Sequence, residues 1–221
     1  MVRKPSTMQE EYLELIYRLE EKEGVAKTGR IAQKLKVTLG TVTNTIANLE
    51  KKGFLIHKPY IGIQLTEKGR EIALEILRRH RLSERLLADV LEIPWSATHD
   101  IACKFEHIIN ENVAEAIEKS LKYPKTCPHG NPIPTKCKRV VEEKSEPLTT
   151  FNPKESGTII KIQEETSEVL EYLARLGLVP GASIEVVERT SFDGHMTVRV
   201  GGANHMLSSS VASIIWVKRS Y

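Results

Sequence analysis

Residues 80–107 hold six side chains able to ligate a metal ion: His80, Glu84, His99, Cys103, Glu106 and His107. Their spacings of three, four and seven constrain the backbone, because helix residues four apart lie about 6 Å apart in rise and roughly 40° apart in azimuth. His99, Cys103 and the Glu106–His107 pair then share a face of one helix, and His80 and Glu84 repeat the spacing one helix earlier. A thiolate, imidazoles and carboxylates together suit Fe²⁺, Mn²⁺, Co²⁺, Ni²⁺ or Zn²⁺ better than Ca²⁺ or Mg²⁺. The plainer alternative is a solvated polar face with a buried cysteine and incidental histidines.

The apolar residues keep the same period. Leu82, Leu86, Leu87, Val90 and Leu91 line one helix, Ile93-Pro94-Trp95 interrupts it, and Ile101, Phe105, Ile108, Val113, Ile117 and Leu121 line the helical stretch beyond the break. A small helical layer with this much aliphatic surface finishes its core against a second copy, so a homodimer is expected.

With 221 residues the chain has room for two or three small domains. No apolar run approaches the ~18 residues of a spanning helix, and Met1-Val2-Arg3-Lys4-Pro5 lacks the apolar stretch of a signal peptide. A cytoplasmic protein with no membrane partner is expected. An odd three cysteines argue against a disulfide framework and leave thiolates for metal. The net charge of +3 becomes informative once resolved: residues 1–70 hold 13 Lys/Arg against 8 Asp/Glu, which suits a polyanionic partner.

That basic region has its own pattern. Tyr12, Leu13, Leu15, Ile16 and Leu19 mark a helix, with Ser6 or Thr7 as its cap. Two further amphipathic helices come next, Lys27–Leu35 and Leu39–Gly53, joined by a turn at Lys36-Val37-Thr38. Ile31, Leu35, Val37, Val42, Ile46 and Leu49 form their buried side; Thr38, Thr41, Thr43, Asn44, Asn48 and Lys51 remain outside. Short polar side chains at the start of a second helix are what a helix-turn-helix presents to the major groove. Thr38, Gly40 and Asn44 are expected at the bases, with Asn44 able to pair with adenine. Thr41, Thr43, Lys51 and Arg30 are expected at phosphates, and Thr28 and Asn48 complete the DNA-facing set. Phe54–Lys58 and Ile61–Leu65 alternate around Pro59-Tyr60 as a hairpin, a wing. A helical module that recognises protein is the alternative for this region.

From Tyr123 to Glu155 prolines and charge replace periodicity. Thr126–Pro134 reads as a compact turn, and Cys127, His129 and Cys137 could form a partial zinc site, although no fourth ligand lies nearby. The last region is β-rich: Thr158–Ile162, Ile184–Glu188, Met196–Val200 and Ile214–Val217 read as strands, Ser167–Gly177 as a helix and Asp193-Gly194 as a tight turn. A barrel of about five short strands with one inserted helix is expected.

Three segments carry a resemblance: His80-Arg81-Leu82-Ser83-Glu84-Arg85-Leu86-Leu87, His99-Asp100-Ile101-Ala102-Cys103-Lys104-Phe105-Glu106-His107 and Gly130-Asn131-Pro132-Ile133-Pro134. In these, and over almost its whole length, the chain resembles the diphtheria-toxin-repressor family of iron- and manganese-dependent transcriptional regulators. The resemblance implies an α+β multidomain protein: a winged helix-turn-helix DNA-binding domain (1–72), an all-helical metal-binding and dimerisation domain (73–140), a linker (141–153) and an SH3-like, FeoA-type β-barrel (154–221). The loop Leu176-Gly177-Leu178-Val179-Pro180-Gly181 is similar to that of ferrous-transport accessory proteins.

Two metal sites per subunit are implied. The primary one takes Cys103, Glu106 and His107 with a first-helix ligand whose position falls on Glu11; Met8, one turn earlier, is a weaker match. Iron sensors carry methionine there and manganese sensors aspartate with a carboxylate in place of the cysteine, so this chain mixes the patterns. The ancillary site takes His80, Glu84 and His99. Its third-domain ligands do not carry over, since Thr166 and Val169 occupy the matching positions, and Glu164, Glu165 and Glu168 are the acidic neighbours that can substitute. Some manganese sensors use instead a Cys-Pro-His-Gly turn, matched here by Cys127 and His129.

The function implied is a repressor that binds double-stranded operator DNA as a homodimer when loaded with Fe²⁺, or alternatively Mn²⁺, as co-repressor. Neither catalysis nor a small-molecule substrate is expected, since no spare nucleophile–base pair or carboxylate dyad is evident. The rivals are a metalloenzyme on the same ligands and a metal-trafficking protein, which would leave the helix-turn-helix idle.

Overall fold

The computed structural model describes residues 5–190 and 194–220. It divides into two compact units, Met1–Arg79 with Pro134–Arg139 and His80–Ile133 with Val140–Tyr221.

In the first unit, α1 (Thr7–Glu23) opens with a capping box between Ser6 and Gln9 and closes at Gly24, whose φ of 76° is left-handed. The helix-turn-helix is formed by α2 (Thr28–Leu35) and α3 (Leu39–Lys51). Thr38 caps α3 by accepting the Thr41 N–H, and Lys36 makes the turn at φ 54°. Ile31, Val42, Ile46 and Leu49 are buried, while Val37 is exposed and Leu35 half-buried, so the apolar face is narrower than the sequence pattern suggests.

The wing is an antiparallel pair, β1 (Leu55–Lys58) and β2 (Gly62–Leu65), with Leu55 opposite Leu65 and Lys58 opposite Gly62. Ala26 pairs with Ile63 along the other edge. Gly62 sits there because a Cβ would lie 2.8 Å from the Ala26 carbonyl oxygen. The long α4 (Glu67–Asp89) begins where Gly69 packs so closely on the Phe54 carbonyl that no side chain fits.

The second unit takes α4 from His80 onward. A 3₁₀ turn at Trp95–Ala97 leads into α5 (Thr98–Phe105), and α6 (Glu111–Ser120) starts afresh with Asn110 accepting the Val113 N–H. Glu106 and His107 therefore stand in the turn after α5, not on a continuous helix. The apolar spacing widens to five between Ile108 and Val113, so the apolar stripe changes phase at this break. Leu82, Ile109, Ala114, Ile117 and Ile133 form the small core of this layer.

The remainder is a six-stranded antiparallel sheet ordered β3-β8-β4-β5-β6-β7, from β3 (Glu146–Pro147), β4 (Ser156–Ile162), β5 (Ser183–Arg189), β6 (Met196–Val200), β7 (Ala203–Leu207) and β8 (Ile215–Arg219). Helices α7 (Ser167–Arg175) and α8 (Ser209–Ile214) accompany it. The sequence expectation lacks β3, β7 and α8, and the sheet begins at Glu146, inside the stretch read as linker. Register shifts at Ile159/Lys161 and Val186/Glu188 bend the sheet around a core of Phe151, Ile159, Leu173, Val186, Val198 and Val217. Asp193, half of the expected tight turn, lies outside the described residues. Trp95 packs against this core, joining the helical segment to the sheet within one unit.

Candidate metal centre

His80 and Glu84 lie one turn apart on α4, and His80 Nε2 is 3.0 Å from Glu84 Oε1. From α5, His99 Nδ1 reaches the same oxygen at 3.3 Å. A third imidazole comes from the turn after α6, where His129 Nδ1 is also 3.3 Å from Glu84 Oε1. Glu84 is fully buried, and its other oxygen has no hydrogen-bond partner among the described residues. A buried carboxylate oxygen left without a donor is costly, and a cation would satisfy it.

Around Glu84 two ligand groups overlap. His80, Glu84, His99 and Glu165 form one, and Glu84, Cys127, His129 and Glu165 the other, each with its ligand atoms within 4.8 Å of one another. Glu165 Oε1 lies 3.8 Å from His129 Nδ1 and 4.0 Å from Cys127 Sγ, while Oε2 lies 3.6 Å from His99 Nδ1. Of the three acidic residues expected there, Glu165 is the one in these groups; Glu164 is half-buried and Glu168 exposed. Cys137 is exposed and belongs to none of the groups found among the described residues.

The turn that supplies Cys127 and His129 is held by its backbone: Cys127 N–H donates to the Asn131 carbonyl at 2.8 Å and Gly130 N–H to that of Cys127 at 2.9 Å. His129 Nε2 donates to the Trp95 carbonyl at 2.8 Å, which directs Nδ1 toward Glu84. Metal-ligating histidines are oriented in this way, with the second ring nitrogen on a carbonyl or carboxylate. Neither the Trp95 carbonyl nor the Asn131 side chain is legible as a partner from sequence, although the Gly130–Pro134 motif marks the place.

The remaining candidates gather beside His80. Its Nδ1 is 2.5 Å from Glu106 Oε2, and Glu106 is buried. Cys103 Sγ is 3.6 Å from His99 Nε2, and His107 Nε2 is 3.4 Å from Glu106 Oε1. Glu11 is exposed on α1 of the first unit.

Electrostatics reflect this crowding. Burial opposes the charged form of His80, but Glu84, Cys103 and Glu106 outweigh it and raise its pKa well above the imidazole range. His99 is pushed up to about 10 against burial by Cys103 and Glu84, and His129 is raised against burial by Glu84 and Glu165. Burial favours the neutral acid at Glu84, yet His80, His129 and His99 hold it well below the carboxylate range. The two thiols diverge. Cys103 is lowered to about 6, because His80 and His99 overcome its burial, whereas burial and the nearby Glu84 and Glu165 raise Cys127 well above the thiol range. A divalent cation would invert that last effect by supplying the missing positive charge. The donor set therefore fits a borderline transition ion.

The residues expected at DNA lie on α2 and α3 of the first unit. Gly40, Thr41, Thr43, Asn44, Asn48 and Lys51 are exposed, as is the cap Thr38; Thr28 is half-buried at the start of α2. Several are already engaged: Arg30 pairs with Glu23 at 3.0 Å, Asn48 Oδ1 accepts from Gln9 Nε2 at 3.2 Å, the Thr38 and Thr41 hydroxyls share a hydrogen bond at 2.9 Å, and Thr43 Oγ1 donates to the Leu39 carbonyl at 2.9 Å.

Comparison with known proteins agrees with this division of labour. Residues 5–63 match the model of the iron dependent repressor N-terminal DNA binding domain, 66–135 that of its metal binding and dimerisation domain, and 146–219 the FeoA domain. The iron-dependent repressor IdeR of Mycobacterium tuberculosis is 34% identical over 222 residues, covering 95% of this chain and 96% of the relative. The chain belongs to the iron-dependent repressor family. Another member, the diphtheria toxin repressor of Corynebacterium diphtheriae, is 31% identical over 95% of this chain and 96% of its own length. Among solved family structures, a manganese-dependent transcriptional repressor in complex with manganese superposes with a TM-score of 0.88 at 29% identity, covering 96% of this chain and 100% of that one. T. acidophilum IdeR superposes at 0.83 with 28% identity, covering 99% of this chain and 100% of that one. The family is one of metal-dependent transcriptional repressors, which matches the expected architecture and role.

Proposed function

We propose that this chain is a repressor activated by Fe²⁺ or Mn²⁺, with the ion as co-repressor, and that it binds operator DNA in the cytosol as a homodimer. Glu84 carries this reading: a fully buried carboxylate faces three imidazoles with one oxygen and, among the described residues, has no hydrogen-bond partner on the other. Glu84, Cys127, His129 and Glu165 hold the ancillary ion, with His80 and His99 also facing Glu84. Glu11, Cys103, Glu106 and His107 are the primary set, an assignment that rests on the family resemblance. The thiolate of Cys103 favours iron and the carboxylate of Glu11 manganese.

A bound cation supplies positive charge to a pocket of carboxylates and so holds its ligands in one arrangement. It shifts an equilibrium only by binding the DNA-competent arrangement more tightly than the other. A hundredfold preference corresponds to about 2.7 kcal/mol. On the protein side, Thr38, Gly40 and Asn44 meet the bases, Thr41, Thr43 and Lys51 the phosphates, and Thr28 and Asn48 flank them. Arg30 must exchange Glu23 for a phosphate.

Fluorescence anisotropy tests this with a duplex selected from a random pool by the Mn²⁺-loaded protein, under anaerobic conditions. Saturating Fe²⁺ or Mn²⁺ is expected to tighten binding at least a hundredfold, and Asn44→Ala to weaken it by about 1–3 kcal/mol on the preferred sequence. Equal affinity with metal and with chelator contradicts the co-repressor role.

A further inference from the structure

We infer that Asn131 is a positioning residue for Glu165, fixing which carboxylate oxygen faces Cys127 and His129; this rests on the ancillary metal reading above. Glu165 is not held by a regular element. It lies in the connection between the end of β4 at Ile162 and the start of α7 at Ser167. A glutamate there has several rotamers to choose from, and only some aim its carboxylate at the ligands from the turn.

Asn131 removes that choice. It is buried, and its amide nitrogen donates twice, to the Ile162 carbonyl at 2.9 Å and to Glu165 Oε1 at 2.7 Å. One bond grips the backbone from which Glu165 departs and the other grips the carboxylate. Oε1 is thereby placed on the side of His129 Nδ1 and Cys127 Sγ, leaving Oε2 toward His99. The backbone beneath is equally constrained: Ile162 N–H donates to the His129 carbonyl at 2.9 Å. Gly130, at φ 84°, passes so near the Ile160 carbonyl that a Cβ would come within 1.9 Å of it. The amide therefore sits on a turn that has no freedom to withdraw.

The chemistry of the donor matters. A lysine or arginine in this place would neutralise Glu165 and compete with a cation. A carboxamide orients the oxygen and leaves its charge available, which is what an outer partner of a metal ligand supplies. Such partners typically change metal affinity 10–100-fold.

The test uses the full chain with Cys103→Ser and Cys137→Ser, so that Cys127 is the one thiol left of three. Anaerobic Co²⁺ titration then reads the thiolate-to-cobalt absorption of that residue alone. Asn131→Asp, which sets an acceptor against Glu165, and Asn131→Ala are both expected to lower Co²⁺ affinity 10–100-fold. In a Glu165→Gln background, Asn131→Ala should cost much less, because the two residues act as a unit. A merely structural role would lower the unfolding temperature of the metal-free variants and leave the Co²⁺ affinity of the folded protein within twofold of the parent. That outcome, or an undiminished effect in the Glu165→Gln background, overturns the proposal. Absence of the thiolate band in the parent would instead reject the ancillary metal reading and, with it, this inference.

Discussion

Cys103 and Cys127 show how far one side chain's chemistry is decided by neighbours. Cys103, beside two imidazoles, is lowered to about 6, and Cys127, buried against two carboxylates, is raised. With its folded pKa depressed, Cys103 contributes stability that is complete above its unfolded value and lost as pH falls through about 6. His99 has the opposite sign: its contribution is complete below its unfolded value and lost as pH rises through about 10. In a Cys137→Ser background, iodoacetamide should modify Cys103 in metal-free protein with a rate midpoint near pH 6, and Mn²⁺ should protect it; a midpoint near 9 would contradict the imidazole pairing. Much of the site is legible at this scale. His80, Glu84, His99 and Cys103 are marked by helical spacing, and Cys127 and His129 by the family turn. Glu165 could be narrowed only to one of three acids, because a loop residue has no phase to read. Asn131 and the Trp95 carbonyl act through contacts that join distant segments, which no local pattern encodes.

Among the elements, long periodic ones are legible and short ones are not. α1, α3 and the wing keep to their patterns. β3, with two residues, has no period, and β7, Ala-Asn-His-Met-Leu, does not alternate. Gly201-Gly202 was the available signal for β7: both have positive φ, and Val200 pairs with Ala203 across them. The break between α5 and α6 falls where the apolar spacing widens to five, between Ile108 and Val113, and Asn110 caps the new helix there; both signals are local and are lost when the period is read over the whole stretch. From the end of α4 to the start of α6, Val90, Leu91, Ile101, Phe105, Ile108 and Val113 are exposed, between 38% for Phe105 and 78% for Ile108. Apolar surface of this kind marks an association face. Ile108→Glu should therefore shift the protein from dimer to monomer in sedimentation velocity with little change in its circular dichroism, and a dimer of undiminished affinity would place the interface elsewhere.

At the scale of the molecule, three family regions carry different surfaces: an exposed polar helix face in the region matched to a DNA binding domain, an exposed aliphatic surface in the region matched to a metal binding and dimerisation domain, and a sheet whose margin places Glu165 among the ligand atoms of the helical layer. Metal binding must displace protons from imidazoles whose pKa values are raised, so affinity should climb with pH through neutrality. The Glu84-centred group is proposed above as a cation site. Anomalous scattering at the manganese or iron edge, from crystals grown with that ion, tests it most directly. A peak within ligand distance of Glu84, Cys127, His129 and Glu165 is expected, and its absence there, with the ion bound elsewhere in the same crystals, would show that Glu84 does not hold a cation.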